Sequence, residues 1–405
     1  MAELPENSES LLRKKPIVFA VGLEKCGTTS LNNLLAQATN VSSPWPKELR
    51  YFSSQYGKGE QWFLSHHDTS KEILADFTPT YHRKEEALLR IRADCERKAI
   101  IVLLRHPVER AYSAYNHTKY CFFFKRDFNV AKKAVAHGKP FADLIGKNKP
   151  FLFPSYTQLI DRIYATFDRS IVTIIPMEHL LGDVGSCLRS IEKTLDCAID
   201  VDHGKKLPRS NVLYMPQFFT GRELLDMEPG AADLIQDIDA TYIVRGGMPK
   251  KIAGGDTFRS FKKMEENWMQ PMTADAAAKA FARYYQAETA QIEEALEVNL
   301  DKWRVFRDCT PRTIKPFSEE AARANVNAGI WYVQHLFKKK KMPERALSLL
   351  REILADQPTD PRIHHCLAGM LFRTGDQEGA RHHSSMAVQL APRVPRFTAL
   401  RARIS

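Results

Sequence analysis

The segment Val18–Leu35, VFAVGLEKCGTTSLNNLL, leaves the chain few choices. An apolar, β-branched run meets a turn bounded by Gly22 and Gly27, and a helix-forming stretch follows. A strand, a tight glycine turn and a helix aim backbone N–H groups at one spot, and the helix dipole adds partial positive charge there. An anion, usually a phosphate, belongs in that nest. In the nucleotide-hydrolysing form of the loop, Lys and then Ser or Thr follow the second glycine. Here Thr28 and Thr29 follow it, and the lysine, Lys25, lies inside the loop. Thr28, Thr29 and Ser30 add hydroxyl donors at the helix start.

Apolar runs recur at 17–22, 72–77, 99–104 and 170–175, with a short fifth at 40–43. Runs apolar on both faces read as buried parallel strands. Residues 28–38 and 107–117 between them read as helices, the second with Pro107 in its first turn. This alternation predicts an α/β fold, a parallel sheet of the phosphate-loop type flanked by helices. Residues 205–270 are rich in Gly, Pro and aromatics and read as an irregular functional region or lid. Residues 273–298 read as one long helix closing the first domain near Trp303. Farther on, Ala346 recurs as Ala380, Pro358 as Pro392 and Pro361 as Pro395, a period of 34 residues. That period is the one expected of tetratricopeptide helix pairs. The expected organisation is a flexible tail at 1–15, an enzyme domain at 16–305, a linker at 306–319 and small all-α tetratricopeptide-like repeats at 320–398. Two repeats are few for independent stability, so they are expected to pack on the enzyme domain or on another subunit.

The formal net charge of +11 favours anionic partners. No recognition-helix pattern points to nucleic acid. The seven cysteines are scattered, odd in number and lack zinc-finger spacing, which reads as a reduced, cytoplasmic protein. No run reaches the roughly 20 apolar residues of a membrane span, so the chain is expected not to be integral to a membrane. The doublets His66–His67, His364–His365 and His382–His383 have poor metal geometry on a helix, and no metal is expected.

A second anion cradle is readable at IVLLRHPVERAYSAYNH. Arg105 ends a strand, and Ser113 lies two turns into the next helix. Together they can grip a second phosphate. An aspartate also ends a strand, Asp76, where nucleotide hydrolases hold magnesium. Two phosphate grips with a lysine inside the first loop point to a donor with two separate phosphates and no obligatory metal.

Here a resemblance enters. VGLEKCGTTSL resembles the 5′-phosphosulfate loop of sulfotransferases that use 3′-phosphoadenosine 5′-phosphosulfate (PAPS). IVLLRHPVERAYSAYNH is similar to their 3′-phosphate motif. PKELRYF (46–52) and DFTPTY (76–81) resemble segments of the heparan-sulfate type of carbohydrate sulfotransferase, and 272–303 resembles the helix closing that domain. These segments occur in the family's order over 16–304. The resemblance implies that Lys25 stabilises the departing phosphate side, and that Cys26, Gly27, Thr28, Thr29 and Ser30 hold the 5′-phosphate. It implies that Arg105 and Ser113 hold the 3′-phosphate. Glu48 would be the general base, with Lys47 beside it binding sulfate or an acidic acceptor. Arg209, in KKLPRSNVL, would lie near the nucleotide. The sequence departs from the family at Glu24, commonly proline or a basic residue there, and at Phe77, where the heparan-sulfate enzymes have lysine. The implied reaction moves a sulfuryl group to a hydroxyl, less readily an amine, of a carbohydrate or glycoconjugate that can itself be acidic. The repeats would serve a protein partner or self-association. His106 and His117 are alternative bases. A phosphate-loop kinase using Asp76, and a PAPS-binding scaffold without turnover, are the competing readings.

Overall fold

The structure, a computed structural model, describes residues 10–123, 139–146, 152–207, 215–216, 270–311, 313–314, 319–324, 326–338 and 340–404. Five strands, β1 (Ile17–Gly22), β2 (Val41–Ser42), β3 (Ile73–Asp76), β4 (Lys98–Leu104) and β5 (Val172–Pro176), form one sheet in the order β2-β3-β1-β4-β5. Every pairing is parallel. Strand β1 is central and wholly buried, as its unbroken apolar run requires. The 170–175 run is only half-buried: residues 169–171 make a 3₁₀ turn, and β5 lies at the sheet edge, paired with β4 alone. Its terminal Pro176 suits an edge, where no ladder donor is lost.

The chain leaves β1 toward one edge of the sheet and leaves β4 toward the other. The two strands are neighbours, so the crevice between their C-terminal ends is the topological switch point, where ligands of open α/β sheets bind. Helix α2 (Thr28–Leu35) follows β1, and α5 (Pro107–Phe123) follows β4. Between them in sequence come α3 (Glu60–Leu64) and α4 (Glu85–Asp94).

Residues 10–15, assigned from sequence to a flexible tail, are instead docked. They carry α1 (Leu11–Lys14), and Leu12 is buried. The Glu60 carboxylate accepts from the Ser10 hydroxyl (2.7 Å) and the Leu12 amide (2.9 Å). The expected single helix at 273–298 is two, α9 (Ala274–Tyr284) and α10 (Gln286–Leu296), preceded in the chain by α6 (Tyr156–Thr166), α7 (Met177–Gly182) and α8 (Val184–Leu195). The break falls at Tyr285, whose φ of −131° leaves the helical range. Adjacent aromatics cause it: Tyr284 stacks on Phe153 (4.5 Å between rings), while Tyr285 turns inward onto Tyr156 (5.5 Å) and donates to the Pro154 carbonyl.

The first core ends on Trp303, which is buried against Tyr156. Its indole N–H donates to one Glu178 oxygen (3.1 Å), and the other Glu178 oxygen accepts from the His106 amide (3.0 Å). Phe306 and Cys309 also pack on this core, and Cys309 exchanges backbone hydrogen bonds with Met272. The first residues of the expected linker therefore belong to the sheet domain.

A second core gathers the C-terminal helices. These are α11 (Glu319–Ala324), α12 (Val326–Lys338), α13 (Pro343–Asp356), α14 (Pro361–Thr374), α15 (Gln377–Leu390) and α16 (Pro395–Ile404). The starts of α13 and α15 are 34 residues apart, as are those of α14 and α16. The helices run past 398, and Ile404 is buried in their core. No described helix is long and apolar enough to cross a membrane.

Trp303→Phe keeps a ring in the core but strips Glu178 of a donor. Glu178 is half-buried, so its unpaired oxygen should cost about 1 kcal/mol, the low end of the range for a buried acceptor, and chemical denaturation should show a loss of that order with an unchanged m-value.

Candidate functional site

The turn after β1 is built from below by arginines. Arg110 on α5 is 1 % exposed and donates from Nε to the Glu24 carbonyl (3.2 Å) and from Nη1 to the Leu152 carbonyl (3.0 Å). Arg105, at the end of β4, donates from Nη1 to the Lys25 carbonyl (3.4 Å). Across a trans peptide the C=O of one residue and the N–H of the next point in opposite directions. Turning the carbonyls of Glu24 and Lys25 toward arginines thus turns the N–H groups of Lys25 and Cys26 away from them. The reversal needs left-handed backbone, at Lys25 (φ +70°) and Gly27 (φ +92°). Glycine suits position 27 because φ +92° is strained for any side chain; the space beside it, 3.4 Å from the Met177 methyl, is ordinary contact. The Cys26 thiol is buried below the turn and pushed up to about 12 by burial, against the pull of Arg110 and Arg105. It is no nucleophile; its contribution is through the backbone.

Helix α2 starts at Thr28, and the Lys47 ammonium meets the Thr28 hydroxyl at 3.2 Å. Lys47 therefore reaches from its own loop to the turn after β1. Burial lowers its pKa, opposed by the charges of Glu48 and Asp76. Glu48 is about one-third exposed and lies 3.8 Å from Lys47 Nζ and 3.7 Å from Arg50 Nη2. These are loose ion pairs in which neither cation closes on the carboxylate. Behind them, Asp76 is fully buried and accepts from the Thr78 and Tyr81 hydroxyls, each at 2.7 Å. Burial, helped by the nearby Glu48 charge, lifts its pKa to about 6 against those two bonds and the Lys47 charge. Both Asp76 oxygens are engaged by side chains of its own DFTPTY segment, which disfavours it as an open magnesium ligand.

Arg105 turns toward Glu109, one helical turn along α5, at 3.0 Å. Glu109 also accepts from Arg307 Nη2 (2.6 Å) and Nε (3.1 Å). Burial alone would raise the Glu109 pKa, but Arg105 and Arg307 hold it below the ordinary value. Ser113 lies half-buried on α5 two turns beyond Arg105. The Tyr156 hydroxyl donates to the Arg105 carbonyl (3.0 Å) and fixes the strand end. His106 is buried and its imidazole is held below its usual pKa by burial; it is part of the framework. Arg209 and most of 205–270 lie outside the described residues, as do the side chains of 120–124. Among the described residues no group of three or more His, Cys, Asp or Glu could hold a metal ion.

The structure thus brings Lys25 and Arg105 to one rim of the switch-point crevice and joins Lys47 to Thr28 across the loop. Sequence reasoning missed Arg110, Glu109 and Arg307. The first two were visible as charges five and four residues after Arg105 in one motif; Arg307 carries no local signal.

No family model matches the chain. Among curated proteins it is similar to bifunctional heparan sulfate N-deacetylase/N-sulfotransferase 1 of Xenopus tropicalis, 30% identical over 218 residues, covering 50% of this chain and 24% of that protein. It is similar to bifunctional heparan sulfate N-deacetylase/N-sulfotransferase 4 of Mus musculus, 29% identical over 197 residues, 44% of this chain and 22% of that protein. It is also similar to membrane-associated sulfotransferase kil1 of Dictyostelium discoideum, 29% identical over 106 residues, 25% of this chain and 22% of that protein. The chain spans about a quarter of the length of these relatives. A solved sulfotransferase from Alicyclobacillus acidocaldarius aligns with 72% of this chain and 99% of its own at 18% identity, with a TM-score of 0.40.

The folded Asp76 carboxyl holds its proton to about pH 6, above its ordinary 3.8. Its contribution to stability is fully present below about pH 4 and is lost as pH rises through 6, by roughly 1.4 kcal/mol for each pH unit between those two values. Asp76→Asn should flatten that part of the stability-versus-pH curve; an unchanged curve in denaturant titrations at about pH 4.5 and 7.5 would count against a buried, protonatable Asp76. Each of the relatives named above is a sulfotransferase, and that is the class of protein this chain is similar to.

Proposed function

We propose that the chain is a PAPS-dependent sulfotransferase acting on a carbohydrate or glycoconjugate acceptor. The observation that carries this reading is the hydrogen bond from Arg105 to the Lys25 carbonyl, which puts both anion grips on one rim. The residues present fit a doubly phosphorylated donor. The left-handed turn at Lys25 and Gly27, with Thr28, Thr29 and Ser30, would take the 5′-phosphate, and Arg105 with Ser113 the 3′-phosphate. Lys25 would stabilise charge on the departing side. The bound donor supplies an activated sulfuryl group, and the chain's residues do the rest by in-line positioning and oriented cations.

Glu48 takes the acceptor's proton as attack proceeds. Its loose spacing from Lys47 and Arg50 leaves a lone pair to accept one. Lys47 lies between Glu48 and Thr28, bridging the acceptor and donor sides. A hydroxyl acceptor is the first reading. The names of two relatives include N-sulfotransferase, which favours an amine as the second. The net charge of +11 suits an acidic glycan. The C-terminal helices are read as tetratricopeptide-like on their 34-residue spacing. Cytoplasmic placement is supported by six described cysteines that are all free.

Calorimetric titration with 3′,5′-adenosine bisphosphate should give tighter binding than ADP with magnesium; the opposite order would transfer the reading to a kinase. Glu48→Gln should keep bisphosphate affinity and lose roughly 10²–10⁴-fold in turnover, scored by radiolabelled sulfate transfer to glycan acceptors bearing free amines or only hydroxyls. Binding without transfer to any acceptor pool would favour the scaffold.

The 3′-phosphate grip has its own test. Arg105→Ala should weaken 3′,5′-adenosine bisphosphate by about 10–100-fold, the worth of a charge-assisted hydrogen bond, and 5′-AMP by clearly less, through loss of the bond to the Lys25 carbonyl. Equal losses for both ligands would mean that Arg105 shapes the loop and does not read the 3′ position.

A further inference from the structure

We infer that the C-terminal helices set the position of Glu48 by holding Trp45, three residues ahead of it. The inference rests on the reading of Glu48 as the base. Trp45 belongs to the sheet domain by sequence, yet it packs with a cluster formed by Ala387, Ala391 and Phe397 of the C-terminal region, with Val388 and Val394 at its margin. Its ring lies 6.3 Å from that of Phe397, tilted by 50°. The Arg362 guanidinium stands over the indole, 5.8 Å from its centre. Arg362 is itself held bidentate by Asp360, so this cation is fixed in place.

The two ends of the Glu48 loop are secured differently. Upstream, the Ser43 hydroxyl donates to Asn32 on α2 (3.0 Å). Downstream, Leu49 is buried and the Arg50 amide donates to the Thr78 hydroxyl (3.2 Å). Between these anchors Pro44 is buried, Pro46 is exposed and Lys47 is bonded to Thr28, while the Glu48 carboxylate itself is held by loose ion pairs. Lys47 ties the inner side of this span to Thr28, and the Trp45 side chain restrains its outer side, against a wall of residues more than 300 positions later in the chain. Trp45 and Phe397 are therefore positioning residues. A carboxylate displaced by about 1 Å from its acceptor can cost on the order of 100-fold in rate.

The test compares wild type with Phe397→Ala and Phe397→Tyr in the full chain. Hydrogen exchange is read on backbone amides of 43–52, with β1 as internal reference. Turnover is read on a de-N-sulfated heparan chain, and affinity on 3′,5′-adenosine bisphosphate. Phe397→Ala should speed exchange in 43–52 by about 10-fold or more and lower kcat by about 10–100-fold. Bisphosphate affinity should stay within about 2-fold, β1 exchange should not change, and Phe397→Tyr should restore both altered readings. Where Phe397→Ala loses helical content, Trp45→Leu breaks the same contact from the sheet-domain side and takes its place. Unchanged exchange in 43–52 in the folded variant, or a fall in kcat matched by an equal loss of bisphosphate affinity, overturns the inference. Wild type that binds the bisphosphate but sulfates no glycan sinks the acceptor reading alone, since the exchange arm still decides the contact.

Discussion

Two carbonyl oxygens turned toward two arginines hold the site together. Glu24 and Lys25 give theirs to Arg110 and Arg105, and everything on the other side of that turn follows from it. The cost is a left-handed residue that is not glycine, Lys25, in a conformation that disfavours side chains. Arg110 helps offset that cost from a fully buried position, where its hydrogen bonds are made in a low-dielectric setting and are correspondingly strong. A buried guanidinium beneath the loop also places fixed positive charge under the anion nest, and its pull on the Cys26 thiol reports that field. The helix dipole of α2 and the arginine act in the same direction.

The parts of this arrangement legible in sequence are those set within a few residues. The strand run at 17–22, the left-handed Gly27, Pro107 at the first turn of α5 and the Arg105–Ser113 spacing are all local patterns, and β1 and the start of α5 sit where the residues place them. Asp76 was half legible. Its strand-end position suggests a metal aspartate, but Thr78 and Tyr81 in the same segment already carry the hydroxyls that occupy it. What was not legible depends on distant chain. Nothing near Arg307 signals that it shares Glu109 with Arg105 across 198 residues. Tyr285 breaks a helix that its own neighbourhood favours, because the buried site offered by Tyr156 and Pro154 outweighs one turn of helical continuity. Docking of residues 10–15 likewise depends on Glu60, fifty positions away from Ser10.

The electrostatics around Arg105 are graded. Arg105 alone with Glu109 would be a neutral pair with little attraction for a phosphate. Arg307 on the same carboxylate restores a net positive charge to the group and gives Glu109 a second partner. An incoming anion can then draw on Arg105 without leaving Glu109 uncompensated, which would be expensive for a carboxylate this buried.

The surroundings of Glu48 follow a different logic. Lys47 is nearly enclosed and bonded to Thr28, so its charge is committed to the phosphate loop, and Asp76 behind it is lifted toward neutrality by burial. Below about pH 6 a neutral Asp76 leaves Glu48 as the principal negative charge facing Lys47; above it the ionised carboxylate competes for the same ammonium and repels Glu48. The hydroxyls of Thr78 and Tyr81 moderate this by favouring the ionised form, while burial opposes them. The position of Glu48 is then set less by charge than by packing. Its ion pairs are too long to fix it, and the apolar contact at Trp45 supplies the constraint that electrostatics leave open. A carboxylate with the role proposed for Glu48 cannot also be tightly salt-bridged, so its placement has to come from the backbone that carries it.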